Sequence, residues 1–314
     1  MSAQTEPRPQ DAGIVPVRTV LLRTWLRALR PAHWAKNLLV FAPLVLAHQL
    51  DNPYLWTWTL LAFAAFCMAA SGTYLLNDVI DVASDRKHPV KCKRPIAAGL
   101  IAPGHALVVA VVLLSAALLI CLAMPRPLWF LAALGAYIAL GQLYVFFLKR
   151  KLLVDVMALA GLHMLRIIAG NAATGIALST WLLAFAMFVF LSLALLKRYA
   201  ELREAGDDVG LRGMGRGYQA GDLETLSQLG ISSALVSAMI LALYVDSKAV
   251  LGLYGTPQLI WLGCPIVLYT MARVWVLARR GQVHDDPLMF MLTDWRSLLM
   301  GALMGAIFIA AASI

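Results

Sequence analysis

The stretch "SGTYLLNDVIDVASDRKHPVKCKRPIAAG", residues 71–99, gathers charge within an otherwise apolar chain. Asp78, Asp81 and Asp85 stand at i, i+3 and i+7, so on a helix they fall within about 60° of one another on one face. Tyr74 lies one turn earlier on that face, and Asn77 flanks it. Three carboxylates so placed repel one another unless they share a cation. Hard oxygen ligands of this kind suit Mg2+, which binds through one or two carboxylates and keeps positions for substrate phosphates. Arg86, Lys87, Lys91, Lys93 and Arg94 follow at once and supply charge to neutralise such phosphates. A solvated helix end followed by a basic loop is the plainer reading. Acidic residues, however, contribute little to membrane orientation and are costly near lipid, so the spacing points to a metal–diphosphate site.

Other polar residues stand out against the apolar background. Arg166 is the one basic residue deep in an apolar run, with His163 one turn before it. Such a charge must face the protein interior or water, either pairing with Asp155 or a backbone carbonyl, or reaching a phosphate. "LLKRYAELREAGDD" (195–208) brings Lys197, Arg198, Tyr199 and Glu201 together at the end of another apolar run, with Asp207 and Asp208 beyond. Two cations and one carboxylate suit phosphate oxygens better than a metal. Lys36 joins Lys91 and Arg94 as a candidate phosphate contact.

"GLRGMGRGYQAGD" (210–222) has glycines spaced for a phosphate cradle, but no strand–turn–helix context surrounds it. It reads equally as a cytoplasmic lid or a plain linker, with Arg216 and Tyr218 reaching phosphates if it closes. In "DDPLMFMLTD" (285–294), Asp286 before Pro287 reads as a helix cap rather than a metal ligand. His33 and His88 border the basic clusters and are weaker ligand candidates.

These residues need a membrane scaffold. The 314-residue chain is 61% hydrophobic and 14% charged, with mean hydropathy +0.77, which identifies an integral membrane protein. Nine apolar runs are candidates to cross a hydrocarbon core of roughly 30 Å: 35–50, 55–77, 101–124, 128–148, 152–176, 179–199, 226–245, 256–278 and 297–314. No barrel-like alternation occurs, so the class is all-α. The expectation is nine transmembrane helices over 35–314, bundled around a cytoplasm-facing active-site cavity.

With a cytoplasmic N-terminus, every Lys and Arg except Arg126, Arg166 and Lys248 falls on the cytoplasmic side, and the C-terminus lies opposite. The net charge of +9 is therefore mainly topological and does not indicate nucleic acid. Residues 1–17 lack an apolar signal stretch and read as a disordered tail. Residues 18–34 read as an interfacial helix, with Leu22, Trp25, Leu26 and Leu29 on one face and Arg23, Arg27 and Arg30 on the other. Cys67, Cys92, Cys121 and Cys264 form no CxxC pair and read as free thiols. A homo-oligomer stays open.

"NDVIDVASD" fits the pattern NDxxDxxxD, and with "KCKRPIAAG" after it resembles the first signature of the UbiA superfamily of intramembrane prenyltransferases. Nine spans with the motif loop after the second agree with that family. Its aromatic prenyltransferases carry a second Asp-rich motif after the sixth span, where this chain has Lys197, Arg198, Tyr199 and Glu201. That departure, with "RPAHWAKNLLVFAPL" (30–44), "LRIIAGNAATGI" (165–176) and "DDPLMFMLTD", is similar to the decaprenyl-phosphate phosphoribosyltransferase branch. The resemblance implies Mg2+-dependent transfer of 5-phosphoribose from 5-phosphoribosyl diphosphate to a polyprenyl phosphate at the cell membrane. Asp78, Asp81 and Asp85 would bind metal and Asn77 complete the catalytic motif. Lys36, Tyr74, Lys91, Arg94, Arg166, Lys197, Arg198, Tyr199 and Glu201 would contact substrates. The enzymatic alternative is prenyl transfer from a polyprenyl diphosphate to an aromatic or other small acceptor. The non-catalytic one, a transporter or lipid-binding protein, is weakened because no second carboxylate motif mirrors the first.

Overall fold

The computed structural model describes residues 17–205, 217–283 and 286–313, and every regular element among them is helical. Apolar runs demand this in lipid, where a helix satisfies its own backbone N–H and C=O groups. In chain order the helices are α1 (Val17–Leu29), α2 (Ala42–Leu46), α3 (Pro53–Ile80), α4 (Val82–Asp85), α5 (Pro103–Ala123), α6 (Pro127–Phe146) and α7 (Val154–Thr174). There follow α8 (Thr180–Ala205), α9 (Leu223–Val245), α10 (Lys248–Leu251), α11 (Gly263–Arg279), α12 (Pro287–Thr293) and α13 (Trp295–Ser313). Residues 1–16 of the anticipated 1–17 tail lie outside the described residues, and Val17 begins α1.

Eight helices among the described residues are long and apolar enough to cross a membrane, and they match the expected spans from 55–77 onward to within several residues. The protein is an all-α integral membrane protein. Two of the eight overrun their apolar runs. α3 continues through Asn77 and Asp78 to Ile80, and α8 continues through Lys197 and Glu201 to Ala205. The α8 motif and the Asn77–Asp78 start of the aspartate motif therefore ride on the last turns of membrane-crossing helices.

The segment expected as the first span, 35–50, is not among the eight. It is a 3-10 helix over Pro31–Phe41, then the five-residue α2, then a turn at His48 with φ 55°. This segment lies so close to α7 that a Cβ added to Gly170 would sit 2.2 Å from the Val40 carbonyl oxygen. Only glycine admits that approach.

The chain divides into two compact units. The first comprises Met1–Ala32 and Ser71–Leu114. Its small core gathers Ala28, Leu75, Ile96 and Ala106, with Trp25, Leu29 and Val79 packed against them. The expected amphipathic helix over 18–34 is shorter, ending at Leu29. Arg30 precedes Pro31, where the α conformation is disfavoured, and takes φ 55° instead. Trp25 and Leu29 turn into the core, whereas Leu22 and Leu26 of the same apolar arc are exposed.

The second unit comprises His33–Ala70 and Ser115–Ile314. Phe66, Phe130, Ala169 and Ala173 form one of its cores. At the contact of α9 with α11, a Cβ on Gly230 would lie 2.0 Å from Trp275 Cζ2. The Trp275 indole donates to Ser192 Oγ at 3.0 Å, and that hydroxyl donates to the Gly230 carbonyl at 2.7 Å. The indole and hydroxyl buried at this contact are thus both paired.

Candidate active site

In the first unit the three aspartates do not share one environment. Asp78 closes on the end of α3, Asp81 occupies the break before α4 at φ −86° and ψ 2°, and Asp85 ends α4. Asp78 and Asp85 are 3% and 2% exposed, and arginines hold both. Arg30 Nη2 lies 2.8 Å from each oxygen of Asp78. Arg94 Nη1 bridges Asp78 Oδ1 at 3.0 Å and Asp85 Oδ2 at 2.8 Å. Tyr74 supports Arg30, whose guanidinium carbon stands 4.7 Å from the ring centroid.

Asp81 differs. It is half-buried, and its carboxylate has no partner among the described residues. The amide oxygen of Asn77 is buried and likewise has no hydrogen-bond partner. A buried acceptor left unpaired costs about 1–3 kcal/mol. Asn77 Oδ1 and the Asp81 carboxylate are hard oxygens of the kind Mg2+ takes, and in donor chemistry they fit that ion. No group of three metal-capable acidic, histidine or cysteine side chains forms among the described residues, and Arg30 and Arg94 occupy the other two carboxylates.

A cavity of about 300 Å³ opens beside Asp78, lined by Arg27, Arg30, Lys91, Lys93 and Arg94. Five cations around one carboxylate leave an excess of positive charge that suits an anion. The basic loop is shaped by His88, whose Nδ1 accepts from the backbone N–H of Val90 at 3.2 Å and of Lys91 at 3.3 Å. His88 thus organises the turn that presents Lys91.

The second unit holds the α8 motif. Arg198 is fully buried, and its guanidinium is spent inside the protein. Nε donates to Asp155, Nη1 to Glu201 at 2.5 Å and Nη2 to the Tyr144 hydroxyl at 2.6 Å. The Tyr218 hydroxyl donates to Asp155 at 2.5 Å and accepts from Leu153 N–H at 3.2 Å. Arg198 and Tyr218, anticipated as phosphate contacts, are in this arrangement partners of Asp155. The ring of Tyr199 packs edge-on against Trp275, with centroids 5.8 Å apart. Asp207, Asp208, Arg216 and the glycine-rich stretch up to residue 216 lie outside the described residues.

Arg166 is 6% exposed. It donates to Asn37 Oδ1 at 2.8 Å, to the Leu162 carbonyl at 2.5 Å and to the Tyr137 hydroxyl at 3.1 Å. Asp155 is not its partner. The two lie eleven residues apart on α7, about 16 Å of helical rise. The anticipated carbonyl contact is present.

Lys36 and Lys197 meet on Asp286. Lys36 Nζ bonds Asp286 Oδ2, and Lys197 Nζ lies 3.4 Å from the same oxygen. Oδ1 of Asp286 accepts Leu288 N–H at 3.1 Å, so it caps α12 ahead of Pro287, as its sequence context predicts. Burial works against the Asp286 charge, but Lys36 and Lys197 outweigh it and hold the carboxyl well below the usual carboxylate range. Further along, Arg273 grips Asp294 with bonds of 2.6 and 3.0 Å, which lowers that carboxyl to about 2.

Sequence reasoning missed Arg30, Tyr144 and the pairings of Asp155 and Asp286. For Arg30 the available signals were its place at the head of "RPAHWAKNLLVFAPL" and its position directly before Pro31 at the end of the amphipathic stretch.

Comparison with known proteins places this architecture. A model of the UbiA prenyltransferase family matches residues 37–294. The uncharacterized protein y4nM of Sinorhizobium fredii is 35% identical over 313 residues, 98% of this chain and 60% of that protein. The nodulation protein NoeC of Azorhizobium caulinodans is 33% identical over 294 residues, 91% of this chain and 93% of that one. Decaprenyl-phosphate phosphoribosyltransferase of Corynebacterium glutamicum is 40% identical over 179 residues, 56% of this chain and 54% of the enzyme. The chain thus spans a little over half the length of y4nM and of that enzyme. A UbiA homolog from Archaeoglobus fulgidus, solved bound to DMAPP and Mg2+, shares the fold with a TM-score of 0.66 at 15% identity, over 93% of this chain and 99% of that one. With the family match running from the 3-10 segment to the end of α12, this chain belongs to the UbiA prenyltransferase family.

Proposed function

We propose that this chain transfers 5-phosphoribose from 5-phosphoribosyl diphosphate to a polyprenyl phosphate, releasing diphosphate. The observation that carries the reading is that the last turns of α8 have cations in place of a second acidic box: Arg198 is taken up by Asp155 and Glu201, and Lys197 remains reachable beside Lys36 at Asp286. Such a motif serves phosphate oxygens rather than a second metal. The similarity to decaprenyl-phosphate phosphoribosyltransferase over half the chain supports it. The names y4nM and NoeC state no reaction.

Asn77 and Asp81 would hold Mg2+, with Asp78 and Asp85 in support, and the bound ion would offset charge on the diphosphate. Arg30, Lys91 and Arg94 bind diphosphate oxygens. Asp78 and Asp85 keep the two arginines aimed, and Tyr74 braces Arg30. The bond from the anomeric carbon to diphosphate breaks as a bond from an acceptor phosphate oxygen forms, and the fixed cations stabilise the leaving charge. The acceptor phosphate is already anionic near pH 7, so the reaction needs no strong general base. Lys36 and Lys197 contact substrate phosphate, while Arg166, Arg198, Tyr199 and Glu201 hold the surrounding helices in place. The chain lies in the cell membrane with its N-terminus cytoplasmic and its C-terminus opposite, an arrangement that requires the 3-10 segment with α2 to cross as well as the eight long helices.

The test is direct. Purified protein given labelled 5-phosphoribosyl diphosphate and a polyprenyl phosphate should yield a lipid retaining the 5-phosphate, together with free diphosphate. Prenylation of 4-hydroxybenzoate from a polyprenyl diphosphate, with 5-phosphoribosyl diphosphate ignored, would refute the reading in favour of the prenyl-transfer alternative.

A further inference from the structure

In the second unit two lysines far apart in sequence converge on one carboxylate oxygen, and the cluster they form is not electrically balanced. Lys36 and Lys197 both reach Asp286 Oδ2. The neighbouring cation Arg166 already spends its donors on Asn37, Tyr137 and Leu162. Two ammonium charges therefore face one carboxylate charge. Each ammonium has three donors, and the bond to Asp286 accounts for one of them. The side chains of Lys36, Lys197 and Asp286 are 14%, 30% and 17% exposed, so the cluster is screened yet reachable.

A second observation points to a ligand. His163 Nδ1 lies 2.7 Å from the Leu159 carbonyl. A carbonyl only accepts, so Nδ1 carries a proton, and in the neutral ring Nε2 is then a bare acceptor. That Nε2 is buried without a partner. The ring is stacked on Phe190 and lies within electrostatic reach of Lys36 and Asp286. An unpaired acceptor within electrostatic reach of the Lys36 ammonium suits a ligand that is anionic and also carries a hydroxyl.

We infer that Lys36 and Lys197 form a phosphomonoester-binding site, and that Asp286 holds the two lysines as an internal stand-in anion until that phosphate arrives. A phosphomonoester brings a charge of about −1.5 to −2 and three strong acceptor oxygens, which match two ammonium groups better than one carboxylate does. Asp286 can release the lysines without unravelling α12, because its other oxygen keeps the bond to Leu288 N–H. The inference rests on the proposed reaction, whose two substrates each carry such a group: the 5-phosphate of the donor and the terminal phosphate of the lipid.

The experiment measures binding to the full chain in detergent by isothermal titration. Undecaprenyl phosphate is compared with undecaprenol, and ribose 5-phosphate with ribose. At least one phosphorylated probe should bind more tightly than its phosphate-free partner. Lys36→Met and Lys197→Met should each weaken that probe about ten- to a hundredfold, the loss expected for one charge-assisted contact. Whichever probe shows this dependence identifies the source of the phosphate. Asp286→Asn should tighten the same probe by about threefold or more, since asparagine caps a helix as well as aspartate does but no longer competes. If Lys36→Met fails to fold, Lys36→Gln keeps a donor for Asp286, drops the charge and should show the same loss. Lysine variants that bind both probes like wild type would overturn the inference. So would an Asp286→Asn that weakens binding, as a purely structural triad requires. Lysine-dependent binding without phosphoribosyl transfer would uphold the site and refute the reaction.

Discussion

Replacing Arg198 with methionine should damage the fold before it damages substrate binding. The guanidinium is fully buried and bonds Asp155, Glu201 and Tyr144 at once. Methionine fills much of the space but leaves the Asp155 carboxylate, itself fully buried, with Tyr218 as its side-chain partner. Breaking a buried ion pair on one side costs about 3–5 kcal/mol, because the orphaned charge stays desolvated. Against a total stability of about 5–15 kcal/mol that is a large share. The unfolding midpoint of the purified protein should fall on the order of 10 °C, from the usual scaling of midpoint with stability. Glu201 is 26% exposed and can turn to water, so its loss of a partner adds little. The companion variant Asp155→Asn with Arg198→Met should recover part of the loss, since no charge is then buried alone. The readouts are thermal unfolding and ligand affinity measured on the same preparations. An Arg198→Met protein that melts like wild type yet loses substrate affinity would sink this account and make Arg198 a substrate contact.

Three further outcomes follow from the geometry. Asp81→Asn should lower turnover by orders of magnitude while melting like wild type, because no described group bonds its carboxylate. EDTA should mimic that loss in the wild type and added Mg2+ reverse it, and unimpaired turnover in Asp81→Asn would refute the metal role. Gly230→Ala should destabilise the protein by about 1–3 kcal/mol, since its Cβ would fall 2.0 Å from Trp275 Cζ2, and an unchanged midpoint would contradict that packing. Asp294 is held at about 2 against an ordinary 3.8. Its depressed value means that its contribution to stability is full above about pH 4 and is lost as pH falls toward 2. Acid unfolding of Asp294→Asn should therefore be flatter over that interval than wild type.

Much of the scaffold was legible because membrane helices announce themselves by length and apolar content, and eight runs sufficed on those grounds alone. The 35–50 segment was not legible in this way. Pro31 precedes it and Pro43 interrupts it, and it carries the buried Asn37, whose amide oxygen pairs with Arg166 across 129 residues. Its conformation is set by that partner and by the groove at Gly170, neither of which a hydropathy window senses. The amphipathic α1 was visible, but its end was set by the pre-proline position of Arg30 rather than by periodicity.

The candidate site divides along the same line. Residue types at short spacing, the aspartates after Asn77 and the Lys197–Glu201 motif, could be read because one helix carries them. What each side chain does is decided by partners far off in sequence: Arg30 to Asp78 across 48 residues, Arg198 to Asp155 across 43, Lys36 to Asp286 across 250. The single-face argument for the three aspartates assumed one helix through Asp85. α3 instead stops at Ile80 and Asp81 sits in the break, while Arg30 and Arg94 draw Asp78 and Asp85 into ion pairs. Asp81, with Asn77 beside it in the motif, is left with oxygens to offer. An arginine counted for membrane topology can thus also decide which of three equivalent-looking carboxylates remains available for chemistry.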